Sequence, residues 1–333
     1  MTLSAKINMQ HPIIRKPEFD ILKGLLIICV VIGHTSIKFP YVDVFWFHMP
    51  AFFMITGYLT KNWLTPQEIF ISIKNKNYAI VKKIGKYIFP YLSYSILFFI
   101  LFKPESIVKN ISRIIYAGIN NTTVYSYPFW FINSLFIATL FMGAGNLYKY
   151  TKQSIIILLT IWIILHLNII QLLPIPLPWG IDAALGAVIF LSIGNIAKNI
   201  KPKKWHWGLL LLPIIFIIFN DYSGLQYKIN MKSMIYNHFL LDLFVPISFT
   251  YFLYKISIIL SYIQGLSQIL SYLGKCCMTI YFTHAAILIF THQYLKWDNV
   301  WGILTTIIIG VSLHTLFEHF KITRILFIGN LKS

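Results

Sequence analysis

Apolar runs of 17 to 20 residues recur along the whole 333-residue chain, separated by short polar pieces that carry lysine or proline. Each run is long enough to cross the hydrocarbon core as a helix, and lipid forces every backbone polar group to be satisfied internally. With 57% hydrophobic and 11% charged residues, the chain is far more apolar than a soluble domain. The expected fold is therefore all-α: a polytopic integral membrane protein with no soluble catalytic domain between its spans.

Ten spans are expected, at about 21–37, 44–60, 87–102, 127–147, 154–170, 180–197, 207–219, 238–254, 277–295 and 300–317. This assignment puts 21 of the 28 Lys and Arg on one side, which the positive-inside rule makes the cytoplasm. Both termini then lie inside: residues 1–18 form an N-terminal segment, 19–320 one transmembrane domain, and 321–333 a C-terminal tail. No internal repeat stands out, which weighs against a secondary transporter.

The net charge of +18 is read as topological, because no basic face interleaves with aromatics as nucleic-acid binding would require. The three cysteines, Cys29, Cys276 and Cys277, form neither a disulfide framework nor a metal-ligand spacing. No metal site is expected. Asp20 and Lys23 interrupt the onset of the first apolar run, and no small-residue cleavage site follows, so an uncleaved span is expected rather than a signal peptide.

Ionisable groups within such spans are costly and point to function. Lys23 and His34 are 11 residues apart, which is three turns plus about 20° and about 16 Å of axial rise, so they share a helix face. Asp20 lies one turn before Lys23, close enough to pair with it. His48 follows on the second span after a short turn, so the first two helices are antiparallel neighbours and their imidazoles can approach one cavity. Pro50 is expected to bend that span, and Gly33 and Gly57 to permit close approach. A membrane histidine can instead simply bond a neighbouring helix.

The segments FDILKGLLIICVVIGHT and FHMPAFFMITGY resemble the opening of the bacterial membrane acyltransferase-3 family, and more narrowly its fucose 4-O-acetylase-like branch. KKIGKYIFPYL, PFWFINSLF, LPWGIDAALGAVIFLSIGNI and LSYLGKCCMTIYFTH follow in the expected order, so the resemblance covers nearly the whole chain. It implies transfer of an acyl group, usually acetyl from acetyl-CoA, to a sugar hydroxyl of a cell-surface polysaccharide or lipid-linked sugar. It also implies a bacterial cytoplasmic membrane location. The family commonly has Arg, ten residues and His in its first span; here that spacing falls on Lys23 and His34, and lysine cannot make the bidentate fork of arginine.

On this resemblance, His34 is expected to be the general base, since a neutral imidazole can take the proton of an attacking hydroxyl. His48 is expected to orient substrate, stabilise the oxyanion or share the proton, with helix packing as the equal alternative. Lys23, Lys82, Lys83 and Lys86 are candidates for the phosphates of acetyl-CoA, which is a substrate; no permanently bound cofactor is expected. For the last three, topology alone is the competing account. Asp182 is read equally as acceptor binding or structural pairing. Trp130 and Trp179 are candidates to stack on sugar, against an interfacial belt. Tyr281 and His284 are candidates to face the cavity, against interhelical packing. Asp242, His166, His238, Glu318 and His319 are left without a role.

The partners implied are a glycan or lipid-linked sugar acceptor and membrane lipids, with a homo-oligomer or a glycan-assembly complex as the assembly. A transporter or exporter of a sugar derivative is the alternative function, and a membrane scaffold the third.

Overall fold

Pro17 opens the first helix at a position where its missing N–H has no intrahelical partner to lose. In the computed structural model, which describes residues 16–75, 78–102, 106–117, 126–173, 175–201 and 204–331, the apolar runs all become helices. These are α1 (Pro17–Gly33), α2 (His48–Leu59), α3 (Pro66–Lys74), α4 (Tyr78–Phe102), α5 (Ile107–Tyr116), α6 (Trp130–Ala144) and α7 (Lys152–His166). They continue with α8 (Ile181–Ala197), α9 (Leu212–Ser223), α10 (Leu241–Ser261), α11 (Gln264–Gln293), α12 (Asn299–His319) and α13 (Lys321–Ile328). One antiparallel ribbon, β1 (Ile229–Asn230) with β2 (Ile235–Tyr236), lies between α9 and α10. Residues 1–15 of the expected N-terminal segment lie outside the described residues.

Six helical stretches among the described residues are long and apolar enough to span a bilayer: Ile80–Phe102, Tyr127–Ala144, Pro178–Ala197, Leu241–Ser261, Gln264–Gln293 and Asn299–His319. Val44–Leu59, Lys152–His166 and Gly208–Ser223 are shorter apolar helices, and α1 has 17 residues. The protein is an all-α multi-pass membrane protein. Its outward surface carries aliphatic side chains such as Ile155, Ile156, Leu159 and Ile163 on α7, as a lipid-facing helix requires.

α1 packs chiefly on α11, and α2 on α8, while α10 touches both α1 and α2. The α1–α11 seam is close because both helices present glycine. A Cβ on Gly24 would collide with the carbonyl oxygen of Leu270, and one on Gly274 with that of Asp20. Small residues let membrane helices approach backbone to backbone. The two helices run parallel, with Asp20 beside Gly274 and, further along, His34 beside His284.

Three local expectations are corrected. The first helix ends at Gly33 instead of 37, so His34 caps its C-terminus, with its own N–H bonding the Val31 carbonyl. Pro50 stands in the first turn of α2, where no backbone hydrogen bond is lost, so it does not bend that helix. The stretch before 277 is helix from Gln264 onward, because its polar Gln264, Ser267, Gln268 and Ser271 extend α11 below its apolar part. Part of the expected tail is helical: α13 packs against α4 and α12.

Candidate functional site

The cap position of His34 places its imidazole at the end of α1, where three other elements converge. Its ring stacks on His284 of α11, with centroids 4.9 Å apart and planes 23° apart. The edge of Tyr127 meets it at 5.1 Å and that of Phe45 at 5.8 Å. Phe45 in turn touches His48 at 5.1 Å. Three imidazoles from α1, α2 and α11 thus share one aromatic nest. Among the described residues no group of three His, Cys, Asp or Glu is arranged to hold a metal ion.

The three imidazoles are not equivalent. His48 is buried and its Nδ1 lies 2.6 Å from the Val44 carbonyl oxygen; His284 is fully buried and its Nδ1 lies 2.6 Å from that of Tyr281. A carbonyl only accepts, so each Nδ1 carries the hydrogen and each Nε2 keeps its lone pair in the neutral ring. The Nε2 of His284 is buried with no hydrogen-bond partner among the described residues, a costly state for a polar atom unless a ligand completes it. His34 is the accessible member: it is half-buried and makes no side-chain hydrogen bond among the described residues.

The segment that turns from α1 into α2 builds this nest. Asp43 caps a short helical turn, Val44–Trp46, by accepting from the Phe45 N–H at 2.9 Å. That turn delivers the Val44 carbonyl to His48, Phe45 between the two imidazoles, and Trp46 into the core. The Trp46 indole N–H donates to the Tyr227 carbonyl at 2.8 Å, gripping the segment that leads into β1.

The family model described as "Acyltransferase domain", of the acyltransferase-3 type, matches residues 16–317. The chain belongs to the acyltransferase-3 family. Nodulation protein NolL of Mesorhizobium japonicum (strain LMG 29417 / CECT 9101 / MAFF 303099) is 25% identical over 246 residues, which are 67% of this chain and 61% of that protein. The chain thus matches less than two thirds of that relative's length. No solved structure matches it.

Within this acyltransferase-3 domain, Lys23 faces the same neighbour as His34. It lies within electrostatic reach of Cys277 on α11, and its Nζ pairs with Asp20 Oδ1 at 3.1 Å. Lys82, Lys83 and Lys86 stand at the start of α4, whose principal neighbours are α13, α3 and α6. Lys83 pairs with Glu68 at 3.4 Å, Lys86 lies 4.5 Å from the centre of the Tyr87 ring, and Lys82 is exposed. They form a separate basic surface rather than part of the histidine nest.

Tyr281 and His284 both reach the nest, with Tyr281 5.8 Å from His284 and 5.3 Å from Phe131. Asp182 does not. It is fully buried, accepting from the Ala183 N–H at 2.8 Å and the Leu177 N–H at 3.3 Å, so it stitches the proline-rich turn to α8. Trp130 is buried beside Phe131, and Trp179 packs on Tyr91 and Phe136. Both indoles are occupied by protein rings rather than presented to the nest.

Sequence reading missed Tyr127, Phe45 and Lys232. The Nζ of Lys232, on the turn between β1 and β2, lies 5.1 Å from the centre of the Tyr127 ring, and it is within electrostatic reach of His34. A lysine in a loop that the sequence assignment puts outside, where the positive-inside rule disfavours one, was the available signal. Asp242 is fully buried, with Oδ2 3.2 Å from His166 Nε2 and 3.0 Å from the His238 N–H, so this pair joins α7 to the start of α10.

Proposed function

We propose that the protein is a membrane O-acetyltransferase of the bacterial cytoplasmic membrane, moving acetyl from acetyl-CoA to a hydroxyl of a cell-surface polysaccharide or lipid-linked sugar. The observation that carries this reading is the accessible His34 stacked on His284, whose buried Nε2 has no partner among the described residues. Family membership supplies the reaction class.

In the reaction, His34 accepts the proton as the sugar oxygen attacks the thioester carbonyl carbon. Collapse of the tetrahedral species breaks the C–S bond, and the thiolate leaves with the proton returned by the imidazolium. The products are acetylated sugar and free CoA. His48 and His284 hold the nest and offer neutral Nε2 acceptors to the hydroxyl, each oriented by its own Nδ1–H. A general base of this kind contributes about 10²–10⁴-fold.

Ten spans follow if α1, α2, α7 and α9 cross together with the six longer helices; an even number puts both termini on one side, which the lysine-rich loops make the cytoplasm. Lys23 then sits at the inner mouth and His34 near the outer end of α1, about 16 Å apart. The long pantetheine arm of CoA suits that separation, with its phosphates at Lys23 or at the basic start of α4.

The test is purified protein in lipid vesicles, supplied with acetyl-CoA and a panel of glycan acceptors. Acceptor-dependent release of CoA thiol together with ester-linked acetyl on the glycan is expected. Movement of labelled glycan across the vesicle without acetylation would replace this reading with the transporter.

A further inference from the structure

An isolated cation on the outer ribbon is the feature that the histidine chemistry leaves unused. Lys232 is half-buried, and among the described residues no carboxylate pairs with it. A desolvated ammonium without a counter-charge is costly. Burial pushes its pKa below the ordinary lysine value. The ring face of Tyr127 gives only partial compensation.

Geometry ties this cation to the nest. Tyr127 stands 5.1 Å from the Lys232 Nζ and 5.1 Å from the His34 ring centre, so it spans the two groups. The ammonium can lie no further from the imidazole than those two steps together, a distance that one monosaccharide with its substituents fills. The ribbon is held firmly enough to present a side chain. Met231 and Tyr236 are buried, the Met234 carbonyl accepts from Gln171 Nε2 at 2.8 Å, and the Asn230 side chain accepts from the Ser233 N–H at 3.1 Å. Trp46 grips the strand leading into it at Tyr227 and belongs to the turn that orients His48.

We propose that Lys232 selects an acceptor sugar carrying an anionic substituent, a carboxylate or a phosphoryl group, and pairs with that anion while a hydroxyl of the same residue meets His34. This rests on the acetyltransferase reading for the hydroxyl, but not for the anion. Tyr127 lies between the two ends as an apolar wall for the sugar ring. Lysine meets an oxyanion as a point charge, so it accommodates either planar carboxylate or tetrahedral phosphoryl oxygens.

The experiment compares three acceptors with the purified full-length protein: methyl glucuronide, glucose 1-phosphate and neutral methyl glucoside. Wild type should prefer one of the anionic acceptors in kcat/KM by about tenfold, the worth of one hydrogen bond to a charged group. Which anion wins identifies carboxylate or phosphoryl as the natural substituent. Lys232→Gln should bring the ratio to near one, and Lys232→Arg should keep it. A wild-type ratio near one for both anions, or a ratio unchanged in Lys232→Gln, overturns the proposal. If wild type acetylates none of the three, the acetyltransferase reading fails instead. Equilibrium binding of the same sugars then decides about Lys232: tighter anion binding that Lys232→Gln abolishes supports it, and equal binding by both proteins overturns it. Unchanged thermal unfolding of both variants guards against a folding defect.

Discussion

The His34 and His284 rings stack at 4.9 Å, joining the C-terminal end of α1 to α11. This contact depends on the glycine seam below it, where Gly24 and Gly274 let the same two helices meet backbone to backbone. A side chain at the seam therefore acts at a distance on the nest.

Gly274→Leu should force α11 away from the Asp20 carbonyl, at a cost of about 1–3 kcal/mol for overpacking. Thermal unfolding in detergent measures it. Activity should fall more than stability alone accounts for, because the imidazoles separate as the helices do. Full activity at an unchanged unfolding temperature would mean that the seam does not register the site.

His284→Phe keeps a ring against His34 but removes the unpartnered Nε2. The expected outcome is a folded protein with kcat reduced by about 10-fold or more, consistent with loss of one positioned hydrogen bond. Steady-state kinetics against wild type gives the answer. Wild-type kcat would show His284 to be packing alone.

Asp242 holds His166, whose ring lies 5.8 Å from that of Tyr236 on β2, so it is expected to position the Lys232 ribbon. Asp242→Ala leaves buried donors unpaired and should cost about 1–3 kcal/mol. It should also raise KM for an anionic acceptor more than for a neutral one. A drop in stability with both KM values moving alike would confine Asp242 to folding.

The pH dependence of acceptor choice should follow Lys232. Its pKa is lowered by burial, so in the folded protein its charge is present at low pH and lost, as pH rises, sooner than for an ordinary lysine. Preference for the anionic acceptor should therefore decline toward alkaline pH, and Lys232→Arg should hold the preference to higher pH. The titratable groups that the structure brings to it are Tyr127, 5.1 Å from its Nζ, and His34, which lies within its electrostatic reach. Their titration would alter the rate with both acceptors, so the ratio of rates is the quantity to record. A pH-independent ratio in wild type contradicts the assignment.

Periodicity and hydropathy made the membrane helices legible, because a bilayer permits few alternatives; the spacing of Lys23 and His34 put both on one face, and in the structure both lie near α11. The position of His34 at the very end of its helix was not legible. Gly33 does not announce whether the helix stops there; in the structure Val44 and Phe45 pack close against it, a contact with no signature in the local sequence. Asp182 was ambiguous because a buried carboxylate that caps a turn and one that binds sugar look alike in sequence. Lys232 was hidden for another reason: its meeting with Tyr127 joins residues more than 100 positions apart, and such contacts have no local signature.

The most direct measurement is acetyl transfer by His34→Ala beside wild type in the same vesicles, with equal amounts of folded protein. The account predicts a loss of about 10²–10⁴-fold in kcat, with an unchanged unfolding temperature. Transfer at the wild-type rate by His34→Ala would contradict it.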